Sequence, residues 1–202
     1  MDMPSDRRAE LLEKIVDALL ETGAADLSLR PLAERVGTSA RLLIYHFETK
    51  EALVDAALAE VRGRIDASLR VRAERVKPRT LRALVMMVWE WVIETPNQRY
   101  FRLLFEVDGL AMYERLSFSE AVRKANSAVW ITLIDKAAAR LPQDGELFSA
   151  HSTLIVAAFS GLLQEYLSTG EREATTAALS ALIELISGDT AVTPPSSQGS
   201  MS

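Results

Sequence analysis

Residues 28–50 read SLRPLAERVGTSARLLIYHFETK, and this stretch decides the fold of the chain. Ser28 occupies an N-cap position, where its hydroxyl is expected to accept a backbone N–H of the helix that follows. The apolar residues of that helix recur at i, i+3, i+4 and i+7, at Leu29, Leu32, Ala33 and Val36. This spacing predicts a short helix with one buried face, which Gly37 ends by adopting the left-handed conformation.

A second short helix is predicted after a break of only two or three residues. Thr38 or Ser39 caps it, and it runs to about Phe47. At 100° per residue Leu43 and Phe47 share one face of this helix. The opposite face carries small, basic, aliphatic and aromatic residues, namely Ala40, Arg41, Ile44 and Tyr45. That outward face suits a DNA major groove better than a protein core, so the two helices together predict a helix-turn-helix.

Roughly the first 55 residues resemble the TetR family of one-component regulators. The family pattern has a first helix ending near a glycine, a capped second helix, and then a leucine, a histidine–phenylalanine pair and a lysine–glutamate pair. The matching residues are Gly23, Ser28, Leu32, Ala33, Val36, Gly37, Ser39, Leu43, His46, Phe47, Lys50, Glu51 and Leu53. The chain departs from the pattern at one position, because the family's usual tyrosine after the leucine is Ile44 here and the tyrosine follows at Tyr45.

The expected partner of this motif is a double-stranded DNA operator. The predicted contacts are Ser28, Ser39, Ala40, Arg41, Leu42, Ile44, Tyr45, His46 and Lys50. Arg41 is expected to read a guanine, because its guanidinium can donate two hydrogen bonds to O6 and N7. Tyr45 and Ser39 are expected to bind phosphate oxygens, which fix the register without reading sequence. His46 holds the family's histidine position, and the sequence leaves open whether it contacts DNA or is structural.

The composition is that of an ordinary soluble protein, with 202 residues, 49% apolar and 25% charged, and a net charge of −5. The absence of cysteine excludes disulfides, thiolate metal sites and cysteine nucleophiles, and it fits a reducing cytoplasm. The N-terminus shows no apolar signal segment. The longest apolar stretch, residues 153–163, is shorter than the about 20 residues of a membrane span. The sequence therefore predicts a cytoplasmic protein without a membrane role.

Helical periodicity recurs to about residue 187, and no run alternates with period two for long enough to indicate a strand. A first amphipathic helix stops at Gly23, and a long helix from Lys50 to about Arg75 is expected to link two halves. Further helices are predicted at 80–96, 98–107, 117–141, 144–168 and 171–187. The predicted fold is all-α. A three-helix helix-turn-helix unit in residues 1–50 joins a larger helical ligand-binding and dimerisation domain in 51–188, before a disordered tail in 189–202.

The last two predicted helices favour a homodimer. Residues 153–163 are apolar nearly all round, and a helix without a polar face must be covered on more than one side. The next helix carries small residues that permit close helix approach, at Ala174, Ala177, Ala178 and Ala181. A monomer core could explain both features. A two-fold dimer explains them better, because one helix-turn-helix reads only one half-site.

The larger predicted domain is rich in aromatic residues and methionine, which in a helical domain usually form the core. The TetR resemblance implies a mostly apolar cavity for a small-molecule effector among these helices. The residues expected to line it are Trp89, Phe105, Tyr113, Trp130 and His151. His151 either hydrogen-bonds a ligand or is a buried histidine bonded to the backbone.

Catalysis has little support in the sequence, which predicts no catalytic residues, no metal site and no cofactor. Neither a Glu-x-x-His pair nor a Gly-x-Ser-x-Gly elbow nor a phosphate-binding glycine loop occurs. The resemblance implies a ligand-responsive repressor that binds a palindromic operator as a homodimer and is released by a small apolar or amphipathic molecule. Ile44 leaves one alternative open, a helical ligand-binding adaptor with a weakened DNA-binding unit.

Overall fold

A computed structural model describes residues 4–113, 139, 141 and 145–188 of the chain. These residues form eight helices and no strand, which confirms the predicted all-α class for the described part. The helices are α1 (Pro4–Thr22), α2 (Leu29–Arg35), α3 (Ala40–Phe47), α4 (Lys50–Val76), α5 (Leu81–Val92), α6 (Thr95–Met112), α7 (Gly145–Thr169) and α8 (Arg172–Ser187). The predicted helix at 117–141, Trp130 and the predicted tail at 189–202 lie outside the described residues.

Turn residues set most helix ends where the sequence predicts them. Gly23 follows α1 with φ +76°, and Gly37 follows α2 with φ +72°, so both adopt the left-handed conformation that glycine tolerates best. The hydroxyl of Thr49 accepts a hydrogen bond from the Ala52 N–H at 3.0 Å and caps α4. The prediction was wrong for α6, which begins at Thr95 and extends to Met112, because Pro96 lies in its first turn, where a proline does not break a helix.

One continuous apolar core joins the helix-turn-helix to the rest of the chain. The fully buried members of this core from α1, α3, α4 and α5 include Leu11, Ile15, Leu43, Leu53, Ile65 and Leu81. The helix α1 packs along α4 and also contacts α2 and α6. Burial of each such side chain contributes about 1.5–3 kcal/mol to folding. The helix-turn-helix therefore does not form an isolated unit, because α3 packs on α4 and α1 packs on both α4 and α6.

Trp89 and Trp91 lie on different sides of α5 and connect it to different helices. Trp89 is fully buried, and its Nε1 donates a hydrogen bond to the hydroxyl of Thr176 on α8 at 2.8 Å. Its ring meets Phe159 of α7 edge-on at 5.4 Å between centroids. Trp91 instead donates through Nε1 to the hydroxyl of Ser68 on α4 at 3.0 Å. The α5 helix thereby positions α7 and α8 relative to α4.

The last two helices pack against each other as an antiparallel pair, with an apolar seam between them. The buried seam residues are Ile155, Phe159, Leu163, Leu179 and Ile183. A second face of the same pair points to solvent and carries Leu154, Ala157, Gly161, Ala174, Ala177, Ala178, Ala181 and Leu185. Leu154 is 51% exposed and Leu185 is 65% exposed, which is high for leucine. Among the described residues, none covers this second face.

Candidate nucleic-acid interface

Two residues of the short turn between α2 and α3, Thr38 and Ser39, were predicted as caps of α3, and the structure shows Ser39 in this role. Ser39 has an extended backbone (φ −113°, ψ 151°), and its hydroxyl accepts a hydrogen bond from the Leu42 N–H at 3.2 Å. Ser28 precedes α2 in a similar backbone conformation, but its side chain makes no cap hydrogen bond. The predicted Ser28 cap was wrong. The hydroxyls of Ser39, Thr49 and Thr80 each accept from the N–H of the third residue of their helix, and in α2 that residue is Pro31, which has no N–H.

The two faces of α3 differ as the helical periodicity predicts. Leu43 is fully buried and Phe47 is 3% exposed, so this face holds the helix on the core. On the outward face Tyr45 is 74% exposed and Ile44 is 38% exposed. Arg41 is also exposed, and among the described residues it makes no hydrogen bond or ion pair. Its guanidinium donors are therefore available to a ligand from outside the chain.

All nine residues predicted to contact DNA lie at accessible positions. The exposed ones are Ser28, Ser39, Arg41, Ile44 and Tyr45, and the half-buried ones are Ala40, Leu42, His46 and Lys50. The rings of Tyr45 and His46 meet edge-on, with 5.1 Å between their centroids. Residues 28–50 hold four basic and two acidic side chains, so this segment is locally positive in a chain of net charge −5. Local charge of this sign favours contact with phosphates.

Sequence reasoning missed Arg8, which contacts the end of α3 from the first turns of α1. Its Nε donates a hydrogen bond to the carbonyl oxygen of His46 at 3.3 Å. A basic residue in an exposed first helix has many possible roles, so neither spacing nor composition could have identified this one.

Arg64 of α4, which was also missed, ties α1 to α4 through ion pairs. Its Nη1 lies 2.7 Å from the carboxylate of Asp17, and its Nε lies 3.2 Å from the carboxylate of Glu60. Partial burial lowers the pKa of Arg64, but hydrogen bonds to Asp17 and Glu60 outweigh it and the net shift is upward. The guanidinium therefore stays charged, and it holds the helix-turn-helix on the long helix.

Glu106 of α6 is the third residue that the sequence did not suggest. Its carboxylate accepts hydrogen bonds from two consecutive backbone N–H groups after α1, those of Ala24 at 2.7 Å and Ala25 at 3.2 Å. Eighty-two residues separate Glu106 from Ala24. No sequence pattern marks a contact between a side chain and so distant a backbone segment.

The residues predicted to bind an effector do not share one environment among those the structure describes. Trp89 lies in the core with its N–H bonded to Thr176, Phe105 and His151 are half-buried, and Tyr113 is 78% exposed. An open groove of about 600 Å³ runs between α4 and α5. It is lined by Ala67, Ser68, Val71, Arg72, Arg75, Val76, Trp91 and Glu94, and none of the predicted ligand residues is among them.

Residues 11–57 match the family described as bacterial regulatory proteins, tetR family. This segment contains most of α1, the whole helix-turn-helix and the first turns of α4. The match confirms the family resemblance of these residues. No curated protein matches the chain.

Three solved structures have a similar arrangement of helices. One is described as a TetR-family transcriptional regulator from Rhodococcus sp., with a TM-score of 0.65 and 23% identity over 90% of this chain and 98% of that one. Another is a transcriptional regulator from Pseudomonas aeruginosa PAO1, with a TM-score of 0.58 and 20% identity over 93% of each chain. The third is NalD, the secondary repressor of the MexAB-OprM multidrug efflux pump in Pseudomonas aeruginosa, with a TM-score of 0.55 and 19% identity over 92% of this chain and 96% of NalD. These likenesses show that the chain has the fold of TetR-family regulators.

Proposed function

We propose that this chain, whose N-terminal segment is a tetR-family domain, is a homodimeric transcriptional regulator that binds a palindromic operator and responds to a small molecule. The observation that carries the proposal is the outward face of α3, where Arg41 and Tyr45 are exposed beside the capped turn at Ser39. Base edges in a major groove are read by side chains in this position on a helix-turn-helix. The proposed contacts are the nine residues predicted from the sequence.

The proposed division of the chain is residues 1–50 for DNA binding, residues 51–188 for effector binding and dimerisation, and residues 189–202 as a tail. The proposed dimer seam is the uncovered face of α7 and α8. Alanine and glycine at this face allow two copies of the helix pair to approach closely, and the exposed Leu154 and Leu185 would be buried there. A two-fold axis at this seam would present two reading helices to two half-sites.

The proposed effector is apolar or amphipathic and binds among the helices of residues 51–188. Support comes from the half-buried Phe105 on α6 and His151 on α7, which offer one aromatic and one hydrogen-bonding group on helices that contact each other. Repression by occupying the operator is proposed from the family and from the likeness to NalD, which is a repressor. Neither a catalytic role nor a cofactor is proposed for this chain.

Selection from random DNA duplexes with the full chain at low salt tests the DNA-binding proposal. A palindrome should be enriched with half-site centres separated by about 34–36 Å, or one turn of DNA, or by a multiple of it. Its affinity should fall steeply with salt, because bound phosphates release counterions. If no palindrome is enriched at low salt, the regulator proposal fails.

The alternative function, a ligand-binding adaptor, rests on Ile44, which occupies the position of the family's tyrosine and is 38% exposed. A thermal-shift screen of small molecules separates the two functions when it is run beside the selection. Ligands that raise the melting temperature of a chain without operator binding support the adaptor. Ligands that bind the free chain more tightly than the operator complex support the regulator, since linkage is reciprocal.

A further inference from the structure

The carboxylate of Glu106 holds the turn that leads from α1 into the helix-turn-helix. Its two oxygens accept hydrogen bonds from the consecutive N–H groups of Ala24 and Ala25. Among the described residues these two N–H groups make no other hydrogen bond. The neighbouring N–H groups are bonded elsewhere, that of Gly23 to the Leu19 carbonyl and that of Leu27 to the Ala24 carbonyl. Glu106 therefore supplies the acceptors that satisfy this part of the turn.

Gly23 shows how closely the turn approaches α6. A β-carbon at Gly23 would lie 2.5 Å and 2.8 Å from the two carboxylate oxygens of Glu106. Gly37, which has a similar positive φ, has open space around the same position. Both glycines adopt a backbone that other residues rarely take, but only Gly23 is also needed for the approach of a side chain from α6.

We propose that Glu106 is a positioning residue, whose carboxylate holds the turn after α1 against α6 and so sets the orientation of the helix-turn-helix that operator binding needs. The inference rests on the proposed DNA-binding function. The contact between Glu106 of α6 and the turn is made in addition to the link through α4, which connects the two halves covalently and through Arg64. Glu106 of α6 holds the turn after α1, and Arg64 of α4 holds α1 itself.

The energetic consequence follows from population arithmetic. Without the Glu106 contact the helix-turn-helix samples more orientations, and only the competent fraction binds the operator. The apparent dissociation constant rises by the inverse of that fraction. Couplings between sites typically lie in the range of about 5- to 150-fold. The expected loss of operator affinity in Glu106→Ala is about tenfold.

Amide hydrogen exchange of the full chain tests the contact without reference to DNA. In Glu106→Ala the amides of Ala24 and Ala25 should exchange at least about tenfold faster, while Gly23, bonded to Leu19, serves as an internal reference. Glu106→Gln keeps one acceptor oxygen and should protect only one of the two amides. Unchanged exchange at both amides in Glu106→Ala overturns the inference at its first step.

Operator affinity by fluorescence anisotropy, with unfolding followed by circular dichroism, tests the positioning role. Glu106→Ala should weaken operator binding about tenfold, whereas the matched variant Glu74→Ala, at an exposed glutamate of α4, should leave it unchanged. If exchange rises while operator affinity stays at the wild-type level, Glu106 is merely structural and the inference is wrong. If the wild-type chain binds no operator, the proposed function fails, and the exchange data still decide whether the contact exists.

A double substitution separates positioning from a simple loss of stability. Gly23→Ala places a methyl group against the Glu106 carboxylate and should weaken operator binding at least about tenfold. In the Glu106→Ala background, Gly23→Ala should lower operator affinity only through backbone strain. Gly37→Ala measures this strain in a melting experiment, because Gly37 has a similar positive φ and a β-carbon there would meet no neighbouring atom. Additive effects of Gly23→Ala and Glu106→Ala on operator affinity would contradict the proposal.

Discussion

The guanidinium carbon of Arg8 lies 4.9 Å from the centre of the Phe47 ring, so that a cation from the start of α1 covers the last residue of α3. The same side chain donates to the carbonyl oxygen of His46. Carbonyls in the last turn of a helix have no partner within the helix, and a positive charge there interacts favourably with the helix dipole. Arg8 therefore stabilises the end of the proposed reading helix.

Replacement of Arg8 by alanine should lower the free energy of unfolding by about 1 kcal/mol. An exposed cation–π contact contributes about 0.5–1 kcal/mol, and a charge at a helix C-terminus contributes about 0.3–1 kcal/mol. Urea denaturation followed by circular dichroism measures the change. Arg7→Ala is the matched control, because among the described residues Arg7 pairs with Glu10 alone, in an exposed pair one turn away, and its loss should matter less. Equal effects of the two substitutions would contradict the role of Arg8.

The two serines that precede α2 and α3 should respond differently to alanine. Ser39→Ala removes a cap hydrogen bond to the Leu42 N–H and should cost about 1 kcal/mol of stability. Ser28→Ala should cost clearly less, because Ser28 makes no such bond. Paired thermal melts of the two variants measure the difference. A larger loss for Ser28→Ala than for Ser39→Ala would contradict this difference between the two caps.

The helix-turn-helix could be predicted because its determinants are local. Periodicity and capping rules apply to it directly, because Gly37, Ser39 and the buried Leu43 with its exposed neighbours lie within a few residues of one another. The sequence also held a sign against the Ser28 cap, since Pro31 removes one of the two N–H groups that can donate to an N-cap hydroxyl. The start of α6 was missed for a related reason, because Pro96 was taken as a break when it lies in a first turn.

The contacts that hold the helix-turn-helix in place could not be predicted. Arg8, Arg64 and Glu106 each act on a partner at least 38 residues away, apart from the Arg64–Glu60 pair within α4. Two of them bind backbone atoms, which carry no residue identity. Their roles depend on how the helices pack, and only the structure brings those residues together.

Ala178→Arg should convert the proposed dimer to a monomer. Ala178 is exposed on α8 within the uncovered face, so the substitution should leave the protomer folded while it places two charges at a two-fold seam. Sedimentation velocity at micromolar concentration measures the result. Ala59→Arg, at an exposed alanine of α4, is the matched control and should keep the wild-type assembly. A wild-type monomer, or a dimer that persists in Ala178→Arg, would place the seam elsewhere or remove it.

Arg41→Ala should weaken operator binding and relax its specificity at one base pair in each half-site. Each arginine–guanine contact is expected to contribute about 1–3 kcal/mol, or roughly 5- to 150-fold in affinity, and the proposed dimer makes two. Loss of a phosphate contact would instead weaken binding to all DNA sequences alike. Anisotropy titrations with the selected operator and with single base-pair variants distinguish these cases. Arg70→Ala removes the same charge from an exposed position of α4, about 30 Å along the helix from Lys50, and should change affinity little. If Arg41→Ala and Arg70→Ala lose the same affinity without any change in base preference, then Arg41 contributes only general charge and another residue of α3 reads the operator.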